Sequence, residues 1–162
     1  RNREAGLFSL PPVPSFIGDY SDTKKIYDET ETLGLVVSCH PLTVFRSHAL
    51  SASKRFAREG TVSGPWINRR KIPDCIGMEV CIAGILITGK EVKTKKKRYM
   101  GFFSFEDPFG VFETVLFPQF YTELLRVLEY GRAFFVFGKI QAEFNTPIIE
   151  VHSLFPLGRG GA

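Results

Sequence analysis

The second half of this chain predicts a mainly β fold, a five-stranded Greek-key barrel of the OB type with a helix between strands 3 and 4. A partly helical N-terminal extension precedes it. Three observations carry the prediction. Five runs rich in β-branched and aromatic residues crowd between Met78 and Leu157: Met78–Gly89, Tyr99–Phe105, Val111–Phe117, Ala133–Ile140 and Pro147–Leu154. One amphipathic segment, Pro118–Glu129, interrupts them after the third run, and three strands, a helix and two strands is the order of that barrel. Gly84 and Gly138 fall inside two of the runs, where a small barrel must bend.

Taken in order, residues 1–20 form an extended tether, because three prolines after Leu10 forbid a helix there. Residues 21–77 read as a helical and irregular linker. Ser21 or Asp22 caps a helix in which Ile26, Tyr27, Thr30 and Leu33 recur at helical spacing, ending near Gly34. His40-Pro41 is a bend, since proline biases the residue before it away from helical angles. A second helix runs from Pro41 to about Arg58 with Leu42, Phe45, Ala49 and Phe56 on its inner side. Gly60–Gly77 is an irregular connector, anchored by Trp66 and Ile67 and carrying a small basic cluster, Arg69 to Lys71. Residues 78–157 are the barrel and 158–162 a flexible tail.

Within the barrel, strand alternation assigns faces. Tyr99, Gly101, Phe103 and Phe105 share one side of the second strand, and Met100, Phe102 and Ser104 the other. On the third strand Phe112, Thr114 and Leu116 oppose Val111, Glu113, Val115 and Phe117. An unpaired carboxylate does not enter an apolar core, so the Glu113 side is the outer one. Phe103, Phe105, Phe112 and Leu116 then point inward, leaving Phe102, Ser104 and Glu113 on an open face. The helix opens on Pro118 and is followed by Gly131, the usual asymmetry of helix ends. Its stripe of Phe120, Leu124, Leu125 and Leu128 is placed to plug the barrel.

The formal charge of +4 is concentrated. Lys90, Lys93, Lys95, Lys96, Lys97 and Arg98 face a single acid, Glu91, so this first hairpin holds +5 and the rest of the chain is net −1. Such a local field attracts phosphates; lysines that discourage edge pairing are the alternative. A basic hairpin beside an exposed aromatic ring is how barrels of this type track a single strand and stack its bases. The candidate nucleic-acid-binding residues are therefore those six cations with Phe102, Ser104 and Glu113. The alternative for Phe102 is a second-layer core residue covered by the connector.

Other chemistry is not indicated. The acids are scattered, without the clustered carboxylates of two-metal phosphoryl transfer, and Glu106-Asp107 reads as a hairpin turn. No phosphate-cradling glycine loop, nucleophile elbow or HExxH occurs. Cys39, Cys75 and Cys81 have no disulfide or zinc spacing and read as free buried thiols of a reducing cytoplasm. His40 reads as a structural histidine satisfied by the bend. No catalytic residue, cofactor or metal is predicted, and no apolar run is long enough to span a bilayer.

Three stretches together resemble the C-family replicative DNA polymerases, in the C-terminal part of the bacterial DNA polymerase III alpha subunit. ETLGLVVSCHPL (Glu31–Leu42) resembles a glutamate-rich helix running into that family's HP element. VCIAGILITGKEVKTKKKRYMGFFSFEDPFGVFETVLFPQFY resembles its OB domain, and EAGLFSLPP sits where the family carries a sliding-clamp-binding peptide. In that peptide Leu7, Ser9 and Leu10 match the motif positions, but Leu7 replaces a glutamine and Pro11 the final phenylalanine. The resemblance implies a cytoplasmic single-stranded DNA-binding module of a DNA-directed DNA polymerase, with the catalytic aspartates upstream of Arg1. Partners would be single-stranded DNA and other replisome subunits, with clamp binding weakened. A protein-docking module of the replisome, or an anticodon-binding OB domain of the kind found in class II aminoacyl-tRNA synthetases, are the other readings.

Overall fold

The computed structural model describes residues 19–60, 64–129, 131–143 and 146–157. Leu7, Ser9 and Leu10, along with the tail, lie outside them. The first described element is helix α1, Asp22–Leu33, whose start is set by the Ser21 hydroxyl accepting from the Lys24 amide and whose end is set by Gly34 at φ 72°. The left-handed φ at that position is one that glycine adopts without penalty. No residue of α1 is buried. A 3₁₀ turn, Pro41–Phe45, leads into helix α2, Arg46–Glu59.

The connector carries a two-residue strand β1, Trp66–Ile67, and a 3₁₀ segment, Arg69–Cys75. Strands β2 (Glu79–Lys93), β3 (Tyr99–Asp107) and β4 (Gly110–Leu116) follow as a meander, then helix α3 (Tyr121–Leu128), β5 (Ala133–Glu143) and β6 (Thr146–Pro156). Strand β2 is long enough to serve two neighbours. Its first half, Glu79–Ile85, pairs with β5 and its second half, Ile85–Lys93, with β3. Strands β4 and β6 pair in parallel through Thr114↔Ile149 and Val115↔Glu150, and β5 and β6 are antiparallel. The order β2-β3-β4-β6-β5 returns to β2, closing the five-stranded OB barrel, and β1 adds a short parallel strand outside β2. Closure removes the sheet edges that would otherwise be open to pairing.

The interior is filled by Val80, Ile82, Phe105, Phe112, Leu116, Phe134, Val136, Ile140, Ile149 and Val151, together with Phe103. Helix α3 closes one end through Tyr121, Leu124 and Leu128. It begins three residues later than the sequence pattern suggests: Phe120 is the cap, Pro118 sits in the preceding turn and Leu125 is only half-buried. The chain from Phe117 to Phe120 closes instead as a turn, with the Phe120 amide donating to the Phe117 carbonyl at 3.0 Å.

The linker is a second layer of the structure. Ala49 and Phe56 of α2 bury against Cys81 and Ala83 of β2, Ala133, Phe135 and Phe137 of β5, and Leu157, with Leu42, Phe45 and Phe155 at the margin. The Phe56 ring packs 4.3 Å from that of Phe155. Of the two connector anchors, Ile67 is buried, while Trp66 keeps 41% exposure and sets its edge on Phe135 at 4.8 Å. Strands β2 and β5 are therefore covered on both faces over their paired halves. Gly138 is demanded by the neighbouring strand, since a Cβ there would lie 2.0 Å from the carbonyl oxygen of Glu150 on β6.

Candidate nucleic-acid interface

The register fixes which side chains share the uncovered outer face. Phe102 pairs with Lys90 on β2 and Val115 on β4, and Ser104 pairs with Thr88 and Glu113. Partners across a ladder point to the same side. Lys90, Phe102, Ser104 and Glu113 therefore share that side with Val115, which the sequence also places outside but which is buried at 4% exposure; Lys90 reaches it only because β2 has a bulge between Leu86 and Thr88. The extra residue there changes the parity of the strand. Without it Lys90 would face inward.

Phe102 is 39% exposed and lines a groove of about 260 Å³ with Met100, Val115, Phe117, Gln141 and Ile148. The connector does not cover it; Trp66 and Ile67 lie along the other half of β2. Phe103, next in sequence, is buried at 8% exposure on the opposite side. Ser104 donates its hydroxyl to both carboxylate oxygens of Glu113, at 2.9 and 3.0 Å, so the carboxylate is held in place at the solvent-facing surface.

The six cations do not form one cluster. Lys90 stands beside Phe102. Lys93 pairs with Tyr99 on the other side of the ribbon and rides over its ring at 5.4 Å. Lys95, Lys96, Lys97 and Arg98 form the exposed tip. The tip is closed by Thr94, whose amide and hydroxyl both donate to the Arg98 carbonyl, and by Lys97 at φ 58°. Glu91, the lone acid, accepts a hydrogen bond from the Tyr121 hydroxyl. Burial, and then this bond to a carboxylate, push the Tyr121 phenol up to about 12. The hairpin base is thereby fixed to helix α3, a tie that strand alternation alone does not predict.

The second basic cluster is largely engaged. Arg69 donates Nε to the Val111 carbonyl at 2.6 Å, Arg70 lies 4.6 Å over the Phe109 ring, and Lys71 pairs with Asp74 at 3.4 Å. The turn acid Asp107 is more than a hairpin signal. It is buried and accepts from the Arg69 amide at 2.7 Å and the Phe109 amide at 2.8 Å, joining connector to barrel.

His40 is only half satisfied by its bend. Nδ1 accepts from the Leu42 amide at 3.1 Å, but Nε2 is buried with no partner. Burial holds its pKa below the ordinary histidine range, against the opposing pull of Glu106 and Asp107. All three cysteines are free thiols; Cys81 is buried, which raises it to about 12, whereas Cys39 and Cys75 are half-exposed. Among the described residues no group of histidines, cysteines or acids is placed to hold a metal ion, and no helix is long and apolar enough to cross a membrane.

No family model matches the chain. It is 31% identical over 113 residues to the DNA polymerase III subunit alpha of Bacillus subtilis, covering 70% of this chain and 9% of that protein. It is 28% identical over 138 residues to the same subunit of Halalkalibacterium halodurans, covering 83% of this chain and 11% of that protein. The chain thus spans about a tenth of the length of these relatives. Among solved structures it is similar to a small single-stranded DNA binding protein from Mycoplasma pneumoniae (TM-score 0.41, 13% identity, 52% of this chain and 97% of that one). The second OB-fold domain of replication protein A from Methanococcus maripaludis is another (TM-score 0.39, 12% identity, 59% of this chain and 100% of that one). An asparaginyl-tRNA synthetase from Pyrococcus horikoshii is a third (TM-score 0.44, 18% identity, 55% of this chain and 22% of that one).

Proposed function

Since this chain is related in sequence to the DNA polymerase III alpha subunit of two bacteria, we propose that it is an OB-fold module of such a polymerase and binds single-stranded DNA. The reaction itself would belong to residues outside the chain. The observation that carries the reading is the division of the barrel's outer surface. Where β2 and β5 face the linker, apolar side chains are buried under α2. Where β2, β3 and β4 face away from it, Phe102 is bare in its groove with Lys90 beside it, and the ribbon continues into a cationic tip. A base stacks on the ring and its phosphates run toward the lysines, a mode of binding tolerant of sequence.

The test is an anisotropy titration of the chain with labelled single-stranded DNA, duplex DNA and single-stranded RNA at several salt concentrations. Single-stranded DNA should bind tightest. If three or four cations meet phosphates, log affinity should fall with log salt at a slope of about −2 to −3, from roughly −0.7 per contact. Equal affinity for duplex, or no binding to any of the three, refutes the proposal.

A second reading, docking of another replisome protein, is favoured by a separate observation. Tyr27 and Leu33 of α1, and Leu35 and Val37 just after it, are each more than half exposed. The two readings use different surfaces and are compatible.

A further inference from the structure

The outer face has more chemistry than sequence-blind strand binding requires, because a fixed carboxylate stands beside the stacking ring. Resting on the single-stranded DNA reading above, we infer that this face prefers guanine, with Glu113 as the residue that reads the base.

The geometry comes from the register. Phe102 is opposite Val115, and Glu113 is two positions along β4 on the same side, opposite Ser104. It is therefore the diagonal neighbour of Phe102, at about 7–8 Å between backbones. That separation is within reach of a purine lying flat on the Phe102 ring. Lys90 flanks the ring from the β2 side. A nucleotide stacked there has a cation for its phosphate on one flank and a carboxylate for its base edge on the other.

The carboxylate is prepared for that role. A carboxylate accepts at about four lone-pair positions and donates at none. Ser104 supplies a single hydroxyl proton, shared between the two oxygens. It fixes the group's orientation while leaving most of its accepting capacity toward solvent, where Glu113 is exposed. Among the described residues no lysine or arginine forms an ion pair with it.

Of the four bases, guanine alone offers two adjacent donors, N1–H and the N2 amino group, on its Watson–Crick edge. They match the two oxygens of a carboxylate side by side. Adenine and cytosine each present one amino group next to a ring nitrogen whose lone pair repels the carboxylate. Thymine presents one N–H between two carbonyl oxygens. Single-stranded bases expose this edge to be read, and a matched bidentate pair discriminates by about five-fold or more. At a solvent-facing site the lower end of that range, about five- to ten-fold, is expected.

The experiment titrates the whole chain with a dT 12-mer and with otherwise identical 12-mers carrying dG, dI, dA or dC at alternate positions. Lithium chloride is the salt, to suppress guanine quadruplexes. The dG oligonucleotide should bind about five- to ten-fold tighter than dT. The dI oligonucleotide lacks only the N2 amino group and should lose most of that gain. In Glu113→Gln, where one acceptor becomes a donor, the ratio of dG to dT affinity should fall to near one. The inference is overturned, with the interface intact, if all the oligonucleotides bind alike or if the dG preference survives Glu113→Gln. If no oligonucleotide binds, the proposed function falls as well.

Discussion

Two adjacent phenylalanines separate the barrel's interior from its interface, and their alanine variants should fail in opposite ways. Phe103 is 8% exposed, and its ring lies where side chains at Gly89 and Gly101 would be; a Cβ at either glycine would come within 2.4 Å of it. Removing the ring leaves a cavity bordered on two sides by bare backbone, so little can collapse into it. The cost should fall in the upper half of the range for a buried phenylalanine, about 4–5 kcal/mol. For a chain of 162 residues that is a melting temperature lower by about 8–20 °C, at roughly 2–4 °C per kcal/mol. Phe102→Ala, on a ring 39% exposed in an open groove, should cost less than about 1 kcal/mol of stability. It should weaken single-stranded DNA binding by about 1–3 kcal/mol, the value of one base–aromatic stack. Differential scanning fluorimetry and anisotropy titration on both variants make the test. If Phe102→Ala unfolds the protein while Phe103→Ala only weakens binding, the face assignment is inverted and the interface must be abandoned.

Four further outcomes are expected. Neutralising Lys95, Lys96 and Lys97 together should flatten the salt slope of binding by about 2, at roughly 0.7 per lost contact, with the far-UV circular dichroism unchanged; a slope that stays put relocates the phosphate path. The Asp107→Asn variant keeps the shape but weakens two charge-assisted bonds to the Arg69 and Phe109 amides, so urea denaturation should show a loss of about 1–3 kcal/mol. Burial lowers the His40 pKa below the ordinary histidine value, so its contribution to stability is complete above that ordinary value and lost as pH falls through the folded-state pKa; the urea midpoint should drop on acidification, and less so in His40→Asn. A peptide spanning Glu4–Pro14 should bind a bacterial sliding clamp more tightly after Leu7→Gln and Pro11→Phe, and equal affinity of the native peptide by surface plasmon resonance would refute the importance of those two positions.

Much of the barrel was legible because its signals are local. Alternation in Tyr99–Phe105 and Val111–Phe117, with Glu113 as the one residue that cannot be buried unpaired, sorts Phe102 from Phe103 correctly. What alternation does not contain is the bulge after Leu86. A bulge inserts one residue without a composition of its own, so the parity of Lys90, and hence its place beside Phe102, came only with the structure. The start of α3 departs from the sequence pattern for a related reason: Pro118 is as compatible with the turn that precedes a helix as with its first residue. The Tyr121–Glu91 and Asp107–Arg69 ties join residues 30 and 38 positions apart, a separation at which no spacing rule operates.

The linker's role is written in the sequence as continuous apolar runs, where the rest of the barrel shows alternation. Val80 to Ala83 and Phe134 to Phe137 are continuous apolar runs, and a strand that is apolar at every position is buried on both faces. Its inner residues, Val80, Ile82, Phe134 and Val136, fill the barrel, so Cys81, Ala83, Phe135 and Phe137 require a second cover. The small pair Cys81 and Ala83 leaves room for the helix to approach, and Phe56 and Ala49 supply the contact. Strand β3 shows the opposite pattern, with Met100, Phe102 and Ser104 alternating against buried neighbours and no helix over them. The linker and the interface are thus complementary consequences of one division. The same helix that buries the outer surface of β2 and β5 leaves β3 and β4 as the only stretch among the described residues where a bare phenylalanine, a lysine and a held carboxylate meet on one side of the sheet.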